Sequence, residues 1–117
     1  MSGVSEPLIQ APLLGDAIEH GPVVVFVADE RGRYVAVNQA ACSMLGYTRE
    51  ELLDLRVADV ARYSEADEEW SEMRQAGTRA GTSRLTRKDG TIVEFRYVAG
   101  ETVVAGMPVF VSVGAAI

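Results

Sequence analysis

The chain has very few of the residues on which metal sites and thiol chemistry depend. Its 117 residues include one cysteine, Cys42, and one histidine, His20. A single cysteine cannot form an internal disulfide, and one histidine with one cysteine cannot complete a metal-ligand cluster or a nucleophile–base pair. Glycine-rich phosphate-binding patterns are also missing. The sequence therefore predicts no metal site and no catalytic residues, and we expect the chain not to be an enzyme.

Basic residues and long apolar runs are scarce too. Lysine and arginine number 11 against 17 acidic residues, a formal net charge of −6, so we expect no binding to nucleic acid or to anionic membrane surfaces. No apolar run approaches the roughly 20 residues of a membrane-spanning helix. The first residues also lack the basic and apolar regions of a signal peptide. With the single cysteine, these features predict a cytoplasmic protein.

The composition that remains is that of one globular domain. Hydrophobic residues make up 48% and charged residues 24%, over a length that buries one core. The sequence predicts a flanking segment at residues 1–20, with an amphipathic helix that starts at Pro12, followed by the domain at residues 21–117. The helix carries one apolar stripe, expected to pack either on its own domain or against a second copy of the chain; its members are Leu13, Leu14, Ala17 and Ile18.

Residues 23–47 predict two strands, a tight turn and a short helix. The apolar run 23–28 is β-branched and too short for a helix. Asp29 and Gly32 are residue types that favour a tight turn. After a second strand at residues 34–37, Asn38 is placed to cap the following helix, and Gly46 ends it.

The centre of the chain predicts a series of short helices. The four residues from Thr48 to Glu51 form a capping box, and residues 56–61 predict one further turn. Residues 66–76 predict a longer helix with Trp70 and Met73 facing inward. These helices separate the first two strands from those that follow.

The last third of the chain predicts strands. We expect a break at residues 77–81, a strand at 82–87, and a tight turn at Asp89 and Gly90. In the next strand, residues 92–99, apolar and charged residues alternate, which indicates one buried face. A turn near Gly106 and Pro108 precedes a final strand at 109–113. The order predicts an α+β domain with one antiparallel sheet.

Several of these features, taken in order, resemble a PAS domain over about residues 21–113. They are Asp29, Gly32 and Asn38, then LGY at residues 45–47, TREEL at 48–52 and KDGT at 88–91. The resemblance implies a five-stranded antiparallel sheet with short helices on one face and a cavity between them. It also implies a sensory role without catalysis in a bacterial-type signalling protein, in two-component or transcription regulation.

The same resemblance implies partners and limits cofactors. PAS domains pass a signal to an effector domain in the same or a partner chain, and a homodimer is expected. Because the chain begins at Met1, it is expected to be the N-terminal sensor. Haem-binding members carry a histidine on or near the long helix, and photoactive flavin-binding members carry cysteine in an Asn-Cys-Arg-Phe context. Residues 66–76 contain no histidine and Cys42 does not match that context, so haem and covalent flavin are disfavoured, non-covalent flavin stays open, and no cofactor is required.

The remaining hypothesis is an apolar cavity that binds a lipid or fatty-acid-like molecule. The inward-facing apolar residues are its candidate lining: Phe26, Met44, Leu45, Leu52, Val57, Val60, Met73, Val93, Phe95, Tyr97 and Val111. The alternative is that these side chains fill the core and that the chain is a ligand-free dimerisation or protein-interaction module. The recognisable turn and cap residues are expected to hold the fold and bind nothing: Asp29, Gly32, Asn38, Asp89 and Gly90. Cys42 is interpreted as a small buried hydrophobe.

Overall fold

Five antiparallel strands form one sheet in the order β2-β1-β5-β4-β3. The computed structural model describes residues 7–62, 75 and 77–117. The strands are β1 (Val24–Ala28), β2 (Tyr34–Val37), β3 (Thr78–Thr86), β4 (Ile92–Val104) and β5 (Met107–Ala116). The helices are α1 (Pro7–His20), α2 (Gln39–Leu45), α3 (Arg49–Leu53) and α4 (Val57–Val60). The predicted α+β fold with a five-stranded antiparallel sheet is confirmed.

The N-terminal helix starts earlier than the sequence predicted. Helix α1 begins at Pro7, so Pro12 lies inside it and not in its first turn. A proline inside a helix removes one backbone hydrogen bond, but Pro7 fits the first turn as well as Pro12 does. The side chains from residue 8 to residue 18 are exposed, and α1 lies against α2 through its last turns. The helix is therefore attached to the domain at one end.

The turn between β1 and β2 forms as its residue types predict. Asp29 Oδ1 accepts hydrogen bonds from the backbone N–H groups of Arg31 at 2.9 Å and Arg33 at 3.0 Å. Gly32 has a φ of 76°, a value that favours glycine because it has no Cβ. Its carbonyl accepts a 2.8 Å hydrogen bond from Val57 N. The turn thereby holds the start of α4 against the sheet.

Helices α2 and α3 have the predicted ends. Asn38 is the N-cap of α2, and Gly46 ends the helix in the left-handed region with a φ of 78°. Thr48 Oγ1 accepts a hydrogen bond from Glu51 N, while Glu51 Oε1 accepts one from Thr48 N, which completes the capping box of α3. Local sequence therefore sets both boundaries.

Strand β3 contradicts one prediction. Residues 78–81 belong to the strand and pair with residues 97–100 of β4, although the sequence pattern predicted a break at 77–81. The two glycines in that segment suggested the break, but the edge strand accommodates Gly81 because β4 supplies its hydrogen-bond partner. Strands β4 and β5 are likewise longer than predicted, at 13 and 10 residues.

The β3–β4 turn is held against the helices. Asp89 Oδ1 accepts hydrogen bonds from the N–H and the hydroxyl of Thr91, and Gly90 has a φ of 88°. Arg87 Nε donates to Met44 O at 3.0 Å, and Lys88 N donates to the carbonyl of the last residue of α2 at 2.9 Å. Carbonyl groups at a helix C-terminus lack partners within the helix, so the turn supplies them.

The hydrophobic core lies between one face of the sheet and helices α2 to α4. Leu45, Leu52 and Val60 are fully buried, one from each helix. On β4 the predicted alternation is present, since Val93, Phe95, Tyr97 and Ala99 are buried and the residues between them are exposed. The predicted helix at 66–76, with Trp70 and Met73, lies outside the described residues.

Candidate ligand-binding site

A cavity of about 100 Å³ lies against the inner face of the sheet. Its lining is largely apolar, and its aromatic members include all three phenylalanines of the chain. Its aromatic members are Phe26, Tyr34, Phe95, Tyr97 and Phe110, its aliphatic members Ala28, Val57, Ala61, Leu85, Ala99 and Val111, and its polar members Arg79, Ser83 and Ser112. The β1 and β5 strands, the β3–β4 hairpin and α4 all contribute.

Four rings form a connected aromatic wall. Phe26 lies 5.3 Å from Tyr34 and 5.7 Å from Phe95, centroid to centroid, and Phe95 lies 6.0 Å from Tyr97 in a stacked arrangement. Ring pairs at these separations attract one another beyond the gain from burial. The four rings therefore form one continuous surface that is mostly apolar.

The guanidinium of Arg79 makes one edge of the cavity polar. Arg79 Nε donates a 2.8 Å hydrogen bond to the Tyr97 hydroxyl. Arg79, Gly81, Ser83 and Leu85 alternate along β3 and share the inward face with Phe95 and Tyr97 of β4. A guanidinium at the rim of an aromatic cavity can bind a carboxylate or another anion through paired N–H groups.

Tyr34 places a second phenol in the lining. Its side chain is 5% exposed, and burial, followed by the nearby Asp59 carboxylate, raises the pKa of the hydroxyl well above its usual value. A buried neutral phenol can donate to an acceptor within the cavity.

The predicted lining residues separate into two groups. Phe26, Val57, Phe95, Tyr97 and Val111 line the cavity. The others belong to the packed core and not to the lining: Met44, Leu45, Leu52, Val60 and Val93. Periodicity identifies inward-facing residues, but α2 and α3 pack directly on β1 and β2, so their side chains fill that end of the interior. Met73 lies outside the described residues.

Sequence reasoning missed the polar edge of the cavity. Arg79 was assigned to the predicted break at residues 77–81, so it was not among the candidate lining residues. Counting back in steps of two from the buried Leu85 places residues 83, 81 and 79 on the inner face. That alternation was the signal available in the sequence.

The structural residues and the stripe on α1 occupy separate places. Asp29, Gly32, Asp89 and Gly90 lie in turns away from the cavity lining, and Asn38 lies at the start of α2. Leu13, Leu14, Ala17 and Ile18 are exposed, and the surface on which this stripe packs stays a prediction. Cys42 is partly buried beside the core, and burial raises the pKa of its thiol.

The chain matches the PAS domain family over residues 22–111. It belongs to the PAS domain family. This match covers more than half of the chain and includes β1 to β4 and, within the described residues, α2 to α4. Members of this family are generally sensory modules of signalling proteins and not catalysts. They commonly accompany effector domains and often dimerise.

Solved structures show the same fold at low sequence identity. A PAS domain from a two-component sensor histidine kinase is 19% identical with a TM-score of 0.83, covering 96% of this chain and 100% of that one. The PAS domain of an HTR-like protein from Haloarcula marismortui is 21% identical with a TM-score of 0.81, covering 92% of each chain. An RNA-binding light-oxygen-voltage receptor is 20% identical with a TM-score of 0.79, covering 99% of this chain and 35% of that one. Among curated proteins, none matches.

Two further features concern the described part of the chain. None of its helices is long and apolar enough to cross a membrane. Within the same residues, histidine, cysteine, aspartate and glutamate form no group of three that could hold a metal ion.

Proposed function

We propose that this chain is a ligand-sensing PAS module that binds an apolar small molecule with an acidic head group and signals to an attached effector domain. The observation that supports the proposal is the aromatic cavity with the Arg79–Tyr97 pair at its edge. A fatty-acid-like ligand would place its carboxylate at Arg79 and its first carbons against Phe26 and Phe95. No cofactor is required for this function.

The size of the cavity limits the ligand. About 100 Å³ is smaller than the roughly 150 Å³ of an engineered cavity that binds benzene, and well below the roughly 300 Å³ at which pockets for drug-sized ligands begin. A short acyl chain fits this volume better than a long one. A longer fatty acid requires the cavity to enlarge, which the inner faces of β3 and β4 would have to permit.

The first experiment asks what the purified protein binds. Native mass spectrometry of the freshly purified chain is followed by thermal unfolding with butyrate, hexanoate, octanoate and decanoate. A ligand at about 100 times its Kd stabilises the folded state by about 2.7 kcal/mol, which is readily measured as a rise in Tm. We expect a rise with the acids that fit. No copurified molecule and an unchanged Tm with every acid would reject the ligand.

A pair of arginine variants tests the head group. Arg79→Met removes the guanidinium at the cavity and is expected to weaken octanoate binding while leaving 1-octanol binding unchanged. Arg84→Met is the matched control, because Arg84 lies on the same strand but outside the cavity lining. Equal octanoate affinity in the two variants would show that the acid group is not held by Arg79.

Dimerisation without a ligand is the second candidate function. It is supported by the exposed apolar side chains of α1, among which Leu13, Leu14 and Ile18 are 48%, 64% and 41% exposed. Monomeric proteins rarely expose large contiguous apolar patches. A homodimer through this stripe is compatible with either function and leaves α1 buried between two copies.

Light scattering tests the dimer. Leu14→Asp places a charge in the stripe and is expected to yield a monomer. Val35→Asp is the control, since Val35 is 48% exposed but belongs to β2 and not to α1. A dimer that persists in Leu14→Asp would remove the stripe from the interface, and loss of the dimer in both variants would point to a different surface.

A further inference from the structure

The side chain of Asn38 joins three elements of the fold. It is 4% exposed. Its Oδ1 accepts hydrogen bonds from Ala41 N in α2 at 3.1 Å and from Val25 N in β1 at 3.0 Å. Its Nδ2 donates to Ile18 O in α1 at 2.8 Å and to Val23 O at 2.7 Å. An amide offers two acceptor positions and two N–H donors, so every one of them is used.

A second side chain holds the same end of α1. Arg49 forms an ion pair with Glu19, one residue from the end of the helix, and its Nε donates to Val37 O at 3.2 Å. Val37 directly precedes Asn38. The last turn of α1 is therefore attached at two points that lie side by side, while the side chains before it are exposed.

The attachment connects with the cavity through β1. Val25 donates its N–H to Asn38, and the next residue, Phe26, lines the cavity and contacts the rings of Tyr34 and Phe95. A shift of β1 at Phe26 therefore moves the N–H that Asn38 holds. Because the same side-chain amide donates a hydrogen bond to Ile18 O, the shift also displaces the end of α1.

We propose that Asn38 and Arg49 form the joint that sets the direction of α1, and that Asn38 is the positioning residue that couples β1 to this helix. The joint acts whether or not the cavity takes the ligand proposed above. Its function is mechanical, because neither residue lines the cavity. A change in the aromatic wall would thus alter the angle at which α1 leaves the domain.

Distances between two spin labels measure that direction. The labels are attached through Leu8→Cys, where the side chain is 89% exposed, and Val98→Cys, where it is 62% exposed, in a Cys42→Ala background. Labelled protein is diluted with unlabelled protein so that each distance is measured within one chain. We expect one narrow distribution for the otherwise unchanged protein.

Asn38→Asp separates the joint from the helix cap. Aspartate caps helices about as well as asparagine, so the bonds from Ala41 and Val25 are kept, whereas the carboxylate has no N–H to donate to Ile18 and Val23. The distribution is expected to broaden. Asp89→Ala is the control. It removes the two side-chain hydrogen bonds of the β3–β4 turn and should leave the distribution narrow, because within the described residues Asp89 has no hydrogen bond or ion pair with α1, Asn38 or Arg49. An unchanged width in Asn38→Asp, or equal broadening in Asp89→Ala, would overturn the proposal.

A surface variant decides the question if Asn38→Asp does not fold. Arg49→Gln removes the ion pair with Glu19 at a position that is 44% exposed, and it is expected to broaden the distribution. Lys88→Met removes the ion pair with Glu51 instead and should not. If the distance distribution of Arg49→Gln is as narrow as that of Lys88→Met, the proposal that Arg49 holds α1 is wrong.

The coupling is tested from the cavity side. Phe26→Leu alters the aromatic wall and is expected to shift the mean distance when Asn38 is intact, and to add no further shift to Arg49→Gln combined with Asn38→Asp. A mean distance that Phe26→Leu leaves unchanged would remove β1 from the proposal.

Discussion

Replacing Asn38 with alanine should destabilise the domain by more than the loss of a helix cap. An N-cap change to alanine costs about 1 kcal/mol. Here the substitution also leaves the N–H of Val25 without its 3.0 Å partner, and Val25 is 8% exposed. An unsatisfied buried donor costs about 1–3 kcal/mol, so we expect a total loss of about 2–4 kcal/mol in the free energy of unfolding.

Urea unfolding at neutral pH measures this loss. The denaturant midpoint should fall while the slope stays constant, since the surface exposed on unfolding changes little. Thr48→Ala provides the comparison, because its hydroxyl caps α3 through one 3.2 Å hydrogen bond at an exposed position. That variant is expected to lose about 1 kcal/mol.

The comparison of the two caps decides whether the reasoning holds. If Asn38→Ala loses no more free energy than Thr48→Ala, the three bonds of Asn38 outside α2 contribute nothing and the structural argument fails.

Four other predictions concern the cavity, the β3–β4 turn, the sheet and helix α1. Because the pKa of Tyr34 is raised in the folded state, the folded protein keeps the phenol proton at a pH where the unfolded chain has lost it. The free energy of unfolding should therefore fall by about 1.4 kcal/mol per pH unit above pH ~10. Tyr34→Phe should make this fall less steep in urea unfolding at alkaline pH. Arg87→Ala should lower the free energy of unfolding by about 1–2 kcal/mol through loss of its bond to the end of α2. Gly114→Ala should destabilise the sheet strongly in thermal unfolding, because a Cβ there would overlap Arg96 O, whereas Gly15→Ala, where a Cβ meets nothing within 4 Å, should stabilise α1 by about 0.5–1 kcal/mol.

Local chemistry made the boundaries of the short elements predictable. Asn38, Gly46 and Thr48 act on backbone groups within four residues, so their effect is visible in a short window of sequence. The turn at Asp89 and Gly90 is equally local. The strands are longer in the structure than in the prediction. Pairing with a neighbouring strand holds residues such as Gly81 in extended conformation, although they have little strand preference of their own.

The other bonds of Asn38 could not be predicted in the same way. Its contacts with Ile18 and Val25 lie 20 and 13 residues away in the chain. They form because β1 and β2 pair and bring residue 25 beside residue 38, where Asn38 N donates to Val25 O at 3.2 Å. A sequence pattern predicts that Asn38 caps a helix. Its further hydrogen bonds depend on which distant residues the fold brings beside its side-chain amide.

The cavity follows from the way the two layers of the fold separate. Helices α2 and α3 place Leu45 and Leu52, both fully buried, against β1 and β2. Ser83 of β3 lies opposite Phe95 of β4, and Ala99 lines the cavity further along β4; these side chains are too small to fill the gap that large ones would close. A cavity thus arises where small residues on one strand meet rings on the next, and this property depends on register and not on hydrophobic periodicity. Replacing Ala99 with leucine should therefore fill the cavity, raise stability if the side chain fits, and abolish the thermal shift with octanoate.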